Sequence, residues 1–165
     1  MRACRTALAA VVLTAAPVLQ GCPSAYQRTY DQQMETLEKQ QQAENAQQAA
    51  AHAAAQKYAA IVYFPVGSAV LDEDDQRQLR WFVQQMQPYP LATFEVQGFA
   101  DSTGSEATNQ SLSIERAQAV AAYLTGQGID SSRMYVQGFG TSSPADSNLT
   151  PQGRRENRRV EVTVR

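Results

Sequence analysis

Asp101 and Arg116 stand out in the stretch GFADSTGSEATNQSLSIERA, residues 98–117: the aspartate closes an apolar run, and the arginine falls inside a helical pattern. A carboxylate only accepts hydrogen bonds and a guanidinium only donates them, through a planar fork. On residue types alone the two read as a salt bridge with each other as readily as a site for a charged ligand. Arg116 lies four residues after Leu112, on nearly the same helical face, and that face should be core. Its guanidinium must therefore snorkel to an edge or meet a carboxylate, because an unpaired buried cation is very costly. Little else in the chain suits chemistry. Residues 59–165 contain no histidine and no cysteine, and His52 precedes them. Metal-peptidase and Cys/His mechanisms therefore lack parts. Only a glycosidase-like carboxylate pair remains as an enzymatic reading. The expectation is a non-catalytic protein with no cofactor and no metal.

Alternating strands and helices must position these side chains. Residues 61–66, IVYFPV, are β-branched and aromatic and read as a strand. Asp72, Glu73, Asp74 and Asp75 suit a helix N-terminus, and Leu79, Phe82, Val83 and Met86 keep helical spacing until Pro88. Phe94, Val96 and Gly98 alternate with Glu95 and Gln97 in a second strand. Ser102, Thr103, Gly104 and Ser105 then break the chain. That leaves Asp101 at a strand's C-terminal end, where ligand sites of open α/β sheets form. A second helix carries Leu112, Ala117, Val120, Ala121 and Leu124 and ends at Gly126 or Gly128. A third strand spans 134–139, and Thr150-Pro151 reads as an N-cap with proline at the first helical position of a short turn over 150–156. Residues 159–164 alternate as a last strand. Strands alternating with helices imply a sheet with helices packed on it.

The N-terminal third has a different character. Residues 1–21 place Arg2 and Arg5 before an apolar core, the layout of a secretory leader, too short and wrongly flanked for a stable membrane span. Leu19-Gln20-Gly21-Cys22 resembles a lipobox, with Gln20 in place of the usual small residue. Cys4 lies inside the leader, so after cleavage Cys22 has no intramolecular partner, and lipidation accounts for it. Several acyl chains on one residue, at about 0.8 kcal/mol per buried methylene, anchor a protein firmly. Pro23 follows, rather than the aspartate that retains such lipoproteins in the inner membrane, which favours the outer membrane. Residues 22–58 form a Gln/Ala-rich spacer, helical or disordered. Tyr30, Met34 and Leu37 begin a four-then-three spacing, but its continuation lands on Gln41, Glu44 and Gln48, where a coiled coil needs apolar residues. If fully helical, the spacer reaches on the order of 50 Å. The formal charge of −2 gives no footprint for nucleic acid.

Read together, Gly98-Phe99-Ala100-Asp101, Gly104, Asn109, Leu112-Ser113, Arg116-Ala117, Val120, Leu124, Gly138-Phe139-Gly140, Pro144 and Asn157-Arg158-Arg159-Val160-Glu161 resemble the OmpA-like peptidoglycan-binding domain, which includes the peptidoglycan-associated lipoproteins. The resemblance covers residues 61–165. It implies an α+β fold, a βαβαβ-type mixed sheet with helices packed on it, over 59–165. It further implies that Asp101 and Arg116 bind meso-diaminopimelate of the wall's stem peptide. The free end of that residue is a zwitterion, so the carboxylate takes its ammonium and the guanidinium grips its carboxylate. Phe99 at the pocket wall, Asn109, Leu112 and Ser113 at the helix start, and one of Arg158 and Arg159 match further contact positions. Arg154, Arg155, Arg158 and Arg159 read equally as a solvated basic face. Adjacent strand residues point to opposite sides, so only one of Arg158 and Arg159 can face a pocket. Where the family often has His-Thr-Asp, this chain has Phe99-Ala100-Asp101, and Val66-Gly67-Ser68 stands where some members carry asparagine. The expectation is thus a lipid-anchored outer-membrane protein with its domain in the periplasm, tethering that membrane to peptidoglycan. The alternative is a wall-anchored subunit of a larger envelope complex with periplasmic or envelope protein partners.

Overall fold

The computed structural model describes residues 24–165; the expected leader over 1–21 and the lipidation at Cys22 lie outside the described residues. Helix α1, Ala25–Ala55, runs across the limit between a first unit ending at Gln42 and a compact second unit, Ala43–Arg165. Its Gln, Ala and Glu content favours helix without supplying a face to bury. Tyr26, Met34 and Leu37 are exposed, and Ala55 is the first residue of α1 to enter the core.

In the compact unit the order continues with β1 Ala59–Tyr63, α2 Glu73–Met86, β2 Phe94–Gly98, α3 Glu106–Gly126, a single 3-10 turn Ser131–Arg133, β3 Met134–Gly138, α4 Pro151–Asn157 and β4 Arg159–Val164. The sheet order is β1-β4-β2-β3, with β4 antiparallel to both neighbours and β2 parallel to β3. This is the expected α+β fold with a mixed sheet and a helical region before it. The first strand differs from its expected span: it stops at Tyr63, because Pro65 has no N–H to give a ladder and the chain turns away after Phe64.

Helix α2 starts where the acids predict. Asp72 is its N-cap, and Asp72 and Asp75 form a reciprocal capping box. Leu79 and Phe82 are fully buried, and Phe82 meets Phe94 edge-on at 5.6 Å between centroids. They join Val62, Val96, Val120, Leu124, Val160 and Val162 in one core.

Helix α3 lies unusually close to the sheet. A Cβ at Gly98 would sit 2.0 Å from the Ser113 carbonyl oxygen, and one at Gly138 would sit 2.5 Å from the Ser113 hydroxyl. Only glycine at these two strand ends lets the helix backbone come down onto β2 and β3. That approach brings the N-terminal half of α3 beside the C-terminal end of β2, where Asp101 begins the next turn.

Candidate functional site

At that end of the sheet a small cleft of about 110 Å³ is lined by Val66, Gly67, Ala100, Asp101, Thr103, Thr108, Asn109, Leu112, Arg116 and Arg158. Four segments meet there: the loop after β1, the turn after β2, the first turns of α3, and the junction of α4 with β4.

Asp101 is 5% exposed, and each carboxylate oxygen has a donor. The Thr103 backbone N–H donates to Oδ1 at 2.8 Å, and Arg158 Nη1 donates to Oδ2 at 2.8 Å. Burial alone would raise the pKa of this group. The Arg158 hydrogen bond and charge, together with the Thr103 N–H, outweigh it and hold the carboxyl below its ordinary range. Arg158 is fixed in turn, since its Nε donates to the Phe64 carbonyl at 2.9 Å while the Phe64 N–H donates back to the Arg158 carbonyl at 2.8 Å.

The expected alternative of an Asp101–Arg116 ion pair is corrected: Asp101 pairs with Arg158. Arg116 neither snorkels nor meets a carboxylate. It is fully buried, and its Nε, Nη1 and Nη2 donate to the carbonyls of Ser68 (2.8 Å), Phe99 (3.0 Å) and Pro65 (3.0 Å). The guanidinium also lies 5.4 Å from the Phe64 ring centroid. Burial and the nearby Arg158 charge, partly offset by Asp101, push its pKa down to about 10, so it remains a cation at neutral pH. Of its five N–H groups three are committed, and two have no partner among the described residues.

Asn109 is 4% exposed and lines the cleft, yet its side-chain amide forms no hydrogen bond within the described residues. The amide is not left dry: among the described residues the one buried side-chain polar atom without a partner is Arg159 Nη1, so the Asn109 amide reaches the open space of the cleft. Leu112, half-buried, also lines the cleft, and it stands outside the core its helical phase suggested.

Three expected residues lie elsewhere. The Phe99 ring does not line the cleft; it stacks on Phe139 at 5.4 Å with the Arg159 guanidinium 4.0 Å above it, and only its carbonyl serves the site, through Arg116. Ser113 donates to the Gln110 carbonyl and accepts from the Gly140 N–H at 2.9 Å, so it fastens the loop after β3 to α3. Arg159 pairs with Glu161 at 2.6 Å, away from the cleft. Between the two adjacent arginines, Arg158 is the one at the cleft. Sequence reasoning missed Thr103 and Thr108, although a threonine in the turn after Asp101 and another in the first turn of α3 flank the predicted gap.

A profile of the OmpA family matches residues 63–158. The chain belongs to the OmpA family. Its OmpA-like domain is 40% identical over 103 residues to the probable lipoprotein YiaD of Escherichia coli K12, covering 62% of this chain and 47% of that one. It is 37% identical over 103 residues to the peptidoglycan-binding protein ArfA of Mycobacterium tuberculosis H37Rv, covering 62% of this chain and 32% of the relative. The match thus spans about half or less of the length of these curated relatives. Among solved structures, the peptidoglycan-associated lipoprotein of Burkholderia pseudomallei superposes with a TM-score of 0.62 at 24% identity, over 64% of this chain and 90% of that one. At that identity the likeness concerns the fold.

Proposed function

We propose that the OmpA-like domain binds peptidoglycan non-covalently by taking the zwitterionic end of a diaminopimelate side chain into the Asp101 cleft, and that the protein thereby tethers the outer membrane to the wall. The observation that carries this reading is the convergence of one ionised carboxylate, two guanidinium groups and an unpartnered amide on a cleft sized for an amino-acid head group. A carboxylate has about four acceptor positions and Asp101 uses two, so a ligand ammonium can join without displacing Arg158. The ligand carboxylate then meets Arg158 and the two free N–H groups of Arg116, with the Asn109 amide completing either group. The name of the mycobacterial relative, a peptidoglycan-binding protein, supports the same ligand class. Attachment at Cys22 would supply the second, membrane-side hold, and two attachments on one chain reinforce each other through local concentration. In this reading the protein binds the wall without cleaving it.

The test is co-sedimentation with purified diaminopimelate-type peptidoglycan. Asp101→Ala and Arg158→Ala should leave the protein in the supernatant, while native protein pellets; native-like pelleting by both variants would sink the site assignment. A lysine-containing stem peptide, which lacks the second carboxylate, should compete far less well than its diaminopimelate counterpart. Labelled wall incubated with the protein should release no fragments. Cys22→Ser should abolish labelling by palmitate and move the protein out of the membrane fraction. Pull-downs from envelope extracts, with and without wall digestion, separate direct protein partners from wall-mediated ones.

A further inference from the structure

Asp101 is aimed from two sides by consecutive residues of the α4–β4 junction, and only one of those supports touches the cleft. Arg158 holds Oδ2 directly. The other support begins at Asn157, which is fully buried. Its Nδ2 donates to the Asp146 carbonyl at 2.8 Å and to Asn148 Oδ1 at 2.9 Å, while its Oδ1 accepts from the Asp146 N–H at 3.0 Å. Asn148 Oδ1 in turn accepts from the Ser102 N–H at 3.1 Å, and the Asn148 carbonyl accepts from Arg154 Nη1 at 2.8 Å. Ser102 is the residue between Asp101 and Thr103, whose own N–H holds Asp101 Oδ1. The loop carrying Asn148 rests tightly on α4: a Cβ at Gly153 would fall 2.0 Å from the Ser147 carbonyl oxygen. Asn148 is half-buried although the loop residues on both sides of it are exposed.

We propose that Asn148, oriented by Asn157, is a positioning residue for ligand binding: its side-chain oxygen pins the Ser102 peptide so that the next N–H and the Asp101 carboxylate keep their geometry in the cleft. This rests on the wall-binding reading above. The two amides are well suited to the task. The Asn157 amide satisfies the Asp146 backbone as a neighbouring strand would, which fixes which way its nitrogen points, and that nitrogen selects the oxygen of Asn148 to face Ser102. An aspartate at 157 would set an acceptor against two acceptors and undo the orientation; an alanine at 148 would leave the Ser102 N–H to water and let the turn move.

The experiment uses the full chain and a soluble diaminopimelate-containing stem peptide, with three variants: Asn148→Ala, Asn148→Asp and Asp101→Asn. Loss of one oriented hydrogen bond corresponds to roughly a tenfold weakening, so Asn148→Ala should bind the peptide about tenfold more weakly, while Asn148→Asp, which keeps the acceptor, should restore most of the affinity. Carboxyl NMR should show the Asp101 pKa moving up toward the ordinary range in Asn148→Ala, a readout that a purely structural role would leave in place. Amide exchange at Ser102 should be fast in the alanine variant and slow in the aspartate variant. Native affinity and an unmoved Asp101 titration in Asn148→Ala would overturn the positioning role alone, provided Asp101→Asn has lost binding. Native affinity in Asp101→Asn would overturn the wall-binding reading and the positioning role with it.

Discussion

Arg116 and Asp101 do different work although both are charged and buried. Arg116 ties two segments, the turn 65–68 after β1 and the end of β2 at Phe99, to α3 by donating to three carbonyls, a geometry only a planar fork supplies. Lysine has the charge without the fork. Arg116→Lys should therefore lose about 3 kcal/mol in urea denaturation, through broken bonds and carbonyls left dry; a shift below about 1 kcal/mol would mean that water replaces the guanidinium freely. Binding loss in an Arg116 variant cannot be separated from this unfolding tendency, which is why Arg158→Ala is the sharper probe of the cleft. For Asp101 the folded-state pKa is depressed. Its stabilisation is then fully present above the unfolded value of about 3.9 and is lost as pH falls through the lower folded value. Wall binding that depends on the ionised carboxylate should stay level from neutral pH down to about 4 and fall below it, read by co-sedimentation across a pH series. Loss of binding between pH 5 and 7 would point to some other titrating group. Asp101 and Arg116 stand out in the sequence, but the choice between Arg158 and Arg159 and the pairing of Asp101 with Arg158 do not. Three carbonyl oxygens from distant segments satisfy Arg116, and nothing in residue types reveals where backbone oxygens converge.

At the scale of elements, legibility follows how much of an element's pattern serves the core. Helix α2 buries Leu79, Phe82 and Met86 and begins at a capping box, so periodicity and composition agree and its span is read nearly to the residue. Helix α3 buries Asn109, Ser113 and Arg116 besides its apolar residues, because its N-terminal half faces the cleft and the loop after β3. Its apolar stripe is therefore incomplete where function begins, and phase alone misplaced Leu112. Phe99 and Arg159 share one side of the sheet, stacked on each other, a relation fixed by the Gly98↔Val160 register that alternation within single strands does not disclose. The close seating of α3 gives a prediction. Gly98→Ala places a methyl group against the Ser113 backbone and should destabilise by about 3 kcal/mol or more, overpacking at a site with no flexible neighbour to yield. By contrast Thr150→Ala, which removes the N-cap acceptor of the Gly153 N–H, should cost about 1 kcal/mol. Chemical denaturation of the two variants side by side checks both the size and the order of these effects.

For the molecule as a whole, the compact unit includes the end of α1, because Ala55 is fully buried and joins the core while His52 contacts the Arg165 carbonyl. A protein reduced to 43–165 should melt at the native temperature and still pellet with the wall, whereas one reduced to 59–165 should melt several degrees lower. Equal melting of the two would show that the end of α1 contributes nothing to the core. Composition changes near residue 58 and β1 begins at Ala59, whereas the compact unit begins at Ala43, because alanines give no sign of which of them will be buried.

The sheet order carries a consequence in time. Strand β4 separates β1 from β2 and pairs with both, so β1 waits for a partner roughly a hundred residues away before it can join anything, and such non-local closure is slow. Arg158, the residue that clasps Asp101, immediately precedes that strand. On the wall-binding reading proposed above, the cleft is therefore complete only once the sheet is. A protein nicked before β4 should fail to pellet with peptidoglycan.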